Sequence, residues 1–192
     1  MTAPKEVYII VCEGGSEKAY LQEINRYLDV NDYPFTFVAK PINNGHFKPA
    51  KIKYREVKEQ NSKNNICIWV DKDTYIRNDE GDREKYLHKP KDIPDFMFNH
   101  QNFEDFLAMH MPDDILQKWQ KICHHHNHFE HPLHAETYIP LYRQHVNCSY
   151  EKATMPFVID KDNISNALKN QKDSNCRFRS DFLDFLKTLI EK

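Results

Sequence analysis

Residues 6–20, EVYIIVCEGGSEKAY, decide the fold. The first seven are β-branched and apolar almost without a break. Alternation would mean a strand with one wet face; continuous apolarity predicts a strand buried on both faces, central in a parallel sheet. Gly14-Gly15 stops the run. Ser16 is the expected N-cap of a helix over about 17–29, with Ala19, Tyr20, Ile24, Tyr27 and Leu28 at helical spacing.

Outward from that unit the pattern recurs. YPFTFVA (33–39) predicts a second strand, and 48–63, with Ala50, Ile52, Tyr54 and Val57 among charges, an exposed helix. NICIWVD (65–71) is a third strand, apolar throughout, and DFMF (95–98) a short fourth. The polar stretch 74–94 has no period and reads as a long loop or lid. NFEDFLAMHM (102–111) is an amphipathic helix, and further helices are expected near 113–127, 163–171 and 180–191, with an irregular stretch between the first two. Strand–helix–strand–helix–strand predicts an α/β fold with right-handed crossovers. The expectation is one domain: a parallel-sheet core over about 5–111 with flanking helices, and a mostly helical C-terminal third over about 112–192.

The 192 residues suit one domain. Lys+Arg is 27 against Asp+Glu 29, a formal charge of −2, so a histone-like electrostatic coat is excluded. Hydrophobic residues make up 40% and aromatics 12%, enough for a real core, which excludes wholesale disorder. No apolar run approaches ~18 residues, so no membrane partner is expected. The opening MTAPKEVYIIVCEGG lacks the features of a signal peptide, and the cytoplasm is the expected compartment. Five scattered cysteines with no C-x-x-C do not suggest a disulfide framework.

The chemistry lies in the acids at strand ends. Glu13 ends the first buried strand, Glu17 lies one helical turn on, and Asp71-x-Asp73 ends the third. Each alone reads equally well as a polar strand end beside a turn. Together, on neighbouring strands, they would bring at least three carboxylates to the carboxyl edge of the sheet, where ligands of such folds bind. Like charges packed there repel, and the usual remedy is a hard divalent cation with oxygen ligands. Such an ion can activate water and stabilise a leaving oxygen in phosphodiester cleavage. EGGSEK lacks the spacing of a Walker A loop. The D-x-D comes after the wrong strand for a dehalogenase-type phosphatase, and the chain is small for a metal-dependent sugar transferase.

Three blocks now look familiar. V-C-E-G-G-S-E-K-A-Y (11–20) resembles the EG-x-x-EK-x-Y opening of the RloB family, a TOPRIM-domain group related to the OLD nucleases. W-V-D-K-D (69–73) resembles its D-x-D after an apolar strand, and N-H-Q-N-F-E-D-F-L-A-M-H (99–110) resembles its N-P-x-F-E-x-W-L-x-x-H segment. Gln101 stands where the family has proline, and Asp105-Phe106 replaces an apolar-Trp pair. The resemblance implies a TOPRIM-like core and a Mg²⁺-dependent nuclease (Mn²⁺ a possible substitute) cutting DNA or RNA in bacterial anti-phage defence. It implies Glu13 as a catalytic metal ligand or proton-transfer residue, Asp71 and Asp73 as catalytic metal ligands, Glu17 as a further metal ligand and Glu104 as a catalytic residue. It also implies a possible defence partner such as an ATPase encoded nearby. The alternative is a non-catalytic nucleic-acid-sensing or regulatory TOPRIM subunit, working only within a partner complex.

Basic residues cluster despite the neutral total. Lys18, Lys48, Lys51, Lys53 and Arg55, with Arg83 and Lys85 after the D-x-D, are the expected nucleic-acid contacts. A solvated helix face is the plainer reading of the first group. The run Cys123-His124-His125-His126-x-His128-x-x-His131-x-x-His134 invites a zinc reading, which His145 and Cys148 could complete. Contiguous histidines cannot all face one ion, so structural zinc is not expected and an exposed insertion is preferred.

Overall fold

The structure, a computed structural model, describes residues 4–43, 46–73 and 96–192. Four strands, β1 (Glu6–Cys12), β2 (Phe35–Pro41), β3 (Asn65–Asp71) and β4 (Phe96–Asn99), form one parallel sheet in the order β2-β1-β3-β4. The chain is therefore α/β with a parallel sheet, as its apolar runs require. Helix α1 (Gly15–Val30) joins β1 to β2, and α2 (Phe47–Gln60) joins β2 to β3. Beyond β4 come α3 (Phe103–Ala108), α4 (Asp113–His125), α5 (Ala135–His145), α6 (Lys161–Lys172) and α7 (Asp181–Ile190). No helix among the described residues is long and apolar enough to cross a membrane.

The two-residue period of the strands sorts the core onto two faces. Tyr8, Ile10 and Cys12 of β1, Phe35 and Phe37 of β2, Cys67 and Trp69 of β3 and Met97 of β4 join the larger cluster. Ile9, Val11, Ile66, Ile68, Val70, Phe96 and Phe98 face the other way, against Ala50, Tyr54 and Val57 of α2. Both faces are covered, which is why these strands are apolar throughout.

Helix α7 lies on the larger face. Phe182 stacks on Trp69 with centroids 4.3 Å apart, and Phe185 meets Tyr8 edge-on at 5.4 Å. The last helix is thus part of the sheet's cover.

Three local expectations are corrected. The N-cap of α1 is Gly14, with the helix starting at Gly15; the Ser16 hydroxyl instead accepts the Ala153 N–H at 3.0 Å. The second strand runs Phe35–Pro41, two residues later than read, pinned where Glu6 N donates to Pro34 O at 2.8 Å. The stretch between the helices near 113–127 and 163–171 is not irregular throughout, because α5 occupies 135–145 with Pro140 inside it. Proline argues against a helix interior. Here Tyr138 and Tyr142, one turn apart, bury a face against Trp119, and that packing prevails. The proposed lid at 74–94 lies outside the described residues.

Candidate active site

The strand order reverses at β1. The chain moves from β1 to β2 on one side, then crosses back so that β3 pairs on the other. Ligands of open α/β sheets bind outside the carboxyl ends of the strands at such a switch. Glu13 follows β1, and Asp71 is the last residue of β3. The register Cys12↔Trp69 brings these ends together, and Glu13 Oε2 accepts the Asp71 backbone N–H at 3.3 Å. Glu13, Asp71, Asp73, Asn102, Glu104 and Lys152 line a cleft of about 90 Å³, with Leu133, Ala135 and Tyr138 also in its lining. Four acids at three separate places in the chain thus share one small cavity.

Each is held by its own local structure. Asp71 Oδ1 accepts from Asn99 Nδ2 and Oδ2 from the Phe103 N–H, both at 2.9 Å. The D-x-D turn is fastened to the segment after β4: Lys72 N donates to Asn99 O at 2.9 Å and Asp73 N to Gln101 O at 2.9 Å. Asn102 caps α3 by accepting the Asp105 N–H at 3.0 Å, which sets Glu104 in the first turn. Glu104 Oε1 accepts the Tyr150 hydroxyl at 2.8 Å. Lys152 sits two residues on, in a loop that reaches back over α1.

Burial and mutual repulsion raise the proton affinity of Glu13, Asp71 and Glu104. Burial first, then Asp73, pushes the Glu13 carboxyl up to about 7, against the pull of the Asp71 N–H and Lys152. Asp71 is held well above the usual carboxylate range by burial, then by Glu13, Glu17 and Asp73. Burial also raises Glu104, opposed by the Tyr150 hydroxyl and Lys152. The carboxylate oxygens of Glu13, Asp71, Asp73 and Glu104 suit a hard divalent cation, and the Lys152 ammonium beside them is a separate positive charge.

Glu17 departs from expectation and is absent from the residues lining the cleft. At the third helical position it turns back, and its Oε2 accepts the Gly14 N–H at 2.9 Å. This is one half of a capping box, since glycine has no side chain to complete it. Its charge is still felt: burial, then Glu13, pushes its carboxyl up to about 8.

None of the described residues among the expected nucleic-acid contacts lines the cleft. Lys18 is exposed on the first turn of α1, and Lys48 and Arg55 are exposed on α2. Lys53 pairs with Glu56 at 3.0 Å, and Lys51 is half-buried on the same helix. Arg83 and Lys85 lie outside the described residues.

The histidine run divides. His124, His125, His126, His131 and His134 are exposed, as an insertion would be. His128 is fully buried, which corrects that reading for this one residue. It packs on Tyr138 and faces Asp105, with Nε2 3.0 Å from Oδ2. Asp105, Cys123 and His128 approach closely enough to suggest a metal site. The hydrogen bonds argue otherwise. His128 Nδ1 accepts the Leu133 N–H at 2.9 Å, so Nε2 carries the proton and donates to Asp105. Asp105 Oδ1 also accepts Trp119 Nε1–H at 2.9 Å and the Tyr138 hydroxyl, and lies 3.9 Å from the Cys123 thiol. This carboxylate is neutralised by donors. His110 is likewise structural: Nε2 pairs with Tyr20 Oη, Nδ1 with Phe106 O, each at 3.0 Å, and burial lowers it to about 4.

Sequence reading missed Asn99, Asn102, Tyr150 and Lys152. A signal existed for Asn99, because it ends β4 as Asp71 ends β3, and a parallel fourth strand puts them in register. Lys152 has no local signal. Compared with protein-family models, with curated proteins and with solved structures, the chain has no match.

Proposed function

We propose that this protein is a divalent-cation-dependent phosphodiester hydrolase acting on DNA or RNA, an RloB-like member of the TOPRIM group working in anti-phage defence. The observation that carries the reading is the meeting of Glu13, Asp71, Asp73 and Glu104 in one cleft at the β1–β3 switch point. Glu13, Asp71 and Asp73 would hold Mg²⁺ or Mn²⁺, which when bound supplies an activated water and charge for the leaving oxygen. Glu104, held by Tyr150, orients groups on the opposite wall. Lys152 offers the scissile phosphate a cation among acids. Lys18, Lys48, Lys51, Lys53 and Arg55, outside the cleft, would meet flanking phosphates and set salt dependence more than chemistry.

The test is cleavage of a panel of single- and double-stranded DNA and RNA with Mg²⁺ or Mn²⁺. Asp71→Ala and Asp73→Ala are expected to lose at least about a hundredfold in rate, since even outer-shell partners of a metal cost 10–100-fold. Circular dichroism should stay unchanged. Full cleavage by both variants would exclude this cleft as the active site. Binding of nucleic acid without cleavage, alone and with the neighbouring gene product, would select the sensing-subunit reading instead.

A further inference from the structure

The C-terminal segment reaches the cleft through one amide. Asn99 Oδ1 accepts two hydrogen bonds, from Trp69 Nε1–H at 3.0 Å and from Ser180 Oγ at 2.8 Å. Its Nδ2 donates to Asp71 Oδ1 at 2.9 Å. An amide can rotate by half a turn, but this one has a single tenable orientation. Rotated, its NH₂ would face the indole N–H, donor against donor, and its oxygen would face the Asp71 carboxylate, acceptor against acceptor. Asn99 and Ser180 are both buried, so no solvent would soften the mismatch.

Residues 179–181 run antiparallel beside 98–100 to make this contact. Asn99 and Ser180 form an isolated bridge, His100 N donates to Arg179 O at 2.9 Å, and Phe98 N donates to Asp181 Oδ2 at 3.1 Å. Ser180 stands at the N-cap of α7, where a serine hydroxyl ordinarily bonds its own helix. Here it makes no such cap and turns to Asn99 instead.

We infer that Asn99 and Ser180 are positioning residues for Asp71. Together with the Phe103 N–H on Oδ2, they fix the rotation of its carboxylate, so that the remaining lone pairs face the cleft. The cation affinity of the site is thereby set by a residue 109 positions away in the chain. The inference rests on the reading of the cleft as a cation site.

Mn²⁺ binding, followed by the loss of the free-ion electron paramagnetic resonance signal, tests it without reference to cleavage. The proteins compared are the full chain and its Asn99→Ala, Asn99→Asp, Ser180→Ala and Ser180→Thr variants. Asn99→Ala and Asn99→Asp should weaken Mn²⁺ binding about 10–100-fold, the aspartate because it has no N–H to offer. Ser180→Ala should weaken it severalfold with an unchanged melting temperature in the absence of metal, and Ser180→Thr, which keeps the hydroxyl, should restore it. If the Asn99 variants fail to fold, the serine pair carries the test alone. Wild-type binding with Ser180→Ala indistinguishable from it would overturn the inference and leave the cation site standing. No Mn²⁺ binding by the wild-type chain would overturn the site itself.

Discussion

Glu104 and Asp105 are neighbours on the first turn of α3, both buried, and their surroundings could hardly differ more. Asp105 accepts from an indole, a phenol and an imidazole and has a thiol close by, drawn from α4, α5 and the loop between them. Glu104 accepts from the Tyr150 hydroxyl and opens on a cleft it shares with three more acids. A buried charge is tolerated when donors or a counter-charge neutralise it. At Asp105 the protein supplies the donors, and the residue ties three elements together. At Glu104 and its companions several carboxylates meet in one cleft beside the Lys152 ammonium, and the excess of negative charge is what a bound cation would meet. Burial of an acid does not distinguish structure from chemistry; whether it faces donors or other acids does.

Removing each acid should separate the two roles most sharply. Asp105→Ala strands the Trp119, Tyr138 and His128 donors in the core, at roughly 1–3 kcal/mol for each unsatisfied group. Against a total stability on the order of 5–15 kcal/mol, that is expected to leave little folded protein. Glu104→Gln keeps an acceptor for the Tyr150 hydroxyl and should fold normally while cleaving slowly. Urea denaturation with a parallel cleavage assay distinguishes them; an Asp105→Ala chain as stable as wild type would show that its four neighbours do not matter.

A smaller effect should follow from pH. Glu13 rises to about 7 and Glu17 to about 8 in the folded chain, while both are ordinary carboxylates once unfolded. The folded state therefore binds more protons than the unfolded one between about pH 4.5 and 8, and stability falls as pH rises through that window. His110 acts in the opposite sense. It is lowered to about 4, so its contribution is complete above about 6.5 and disappears as pH falls towards 4. The two glutamates outweigh His110 across the overlap, so the metal-free protein should melt higher at pH 5 than at pH 8, by on the order of 5–10 °C. Mn²⁺ should restore most of that difference at pH 8 and little at pH 5. Differential scanning calorimetry at the two pH values checks it, and a melting temperature that climbs from pH 5 to 8 without metal would contradict the electrostatic account of the cleft.

The same contrast explains what could be read in advance. Strands buried on both faces must be apolar throughout, so β1 and β3 were legible from EVYIIVC and NICIWVD, and the acids ending them marked one edge of the sheet. Glu13, Asp71 and Asp73 lie at the ends of such runs, whereas Glu104 is picked out only by the resemblance of the 99–110 segment to a family block. For Glu17, spacing places it one turn from Glu13 without saying whether its carboxylate turns to the cleft or, as here, back to the Gly14 N–H. The Asp105 group was invisible, because its donors come from four positions spread over 119–138 and only folding brings them together. The histidine run looked like one feature because sequence cannot tell that His128 turns inward while its neighbours face water. Lys152 and Ser180 belong to the same class: each reaches the site through tertiary contact, with nothing local to announce it.

The smallest effect concerns how the Lys152 loop is seated. A Cβ on Gly15 would come within 2.7 Å of Ala153 Cβ, closer than carbon atoms pack. The glycine pair after β1 thus serves a close approach as well as a turn: Gly14 caps α1, and Gly15 admits the loop. Ala153 itself holds φ at 64°, the left-handed region, where an L side chain is strained. Gly15→Ala should cost about 1–3 kcal/mol if the loop stays, as overpacking does. If the loop lifts instead, stability changes little and Lys152 moves away from Glu13 and Glu104. The two responses differ in the assays: the first lowers the melting temperature by a few degrees with cleavage intact, the second lowers cleavage severalfold with Mn²⁺ binding intact. Ala153→Gly added to Gly15→Ala removes the colliding methyl and relaxes the left-handed residue, so the double variant should recover in either case. Failure of that rescue would mean that the contact between α1 and the 150–153 loop does not position Lys152.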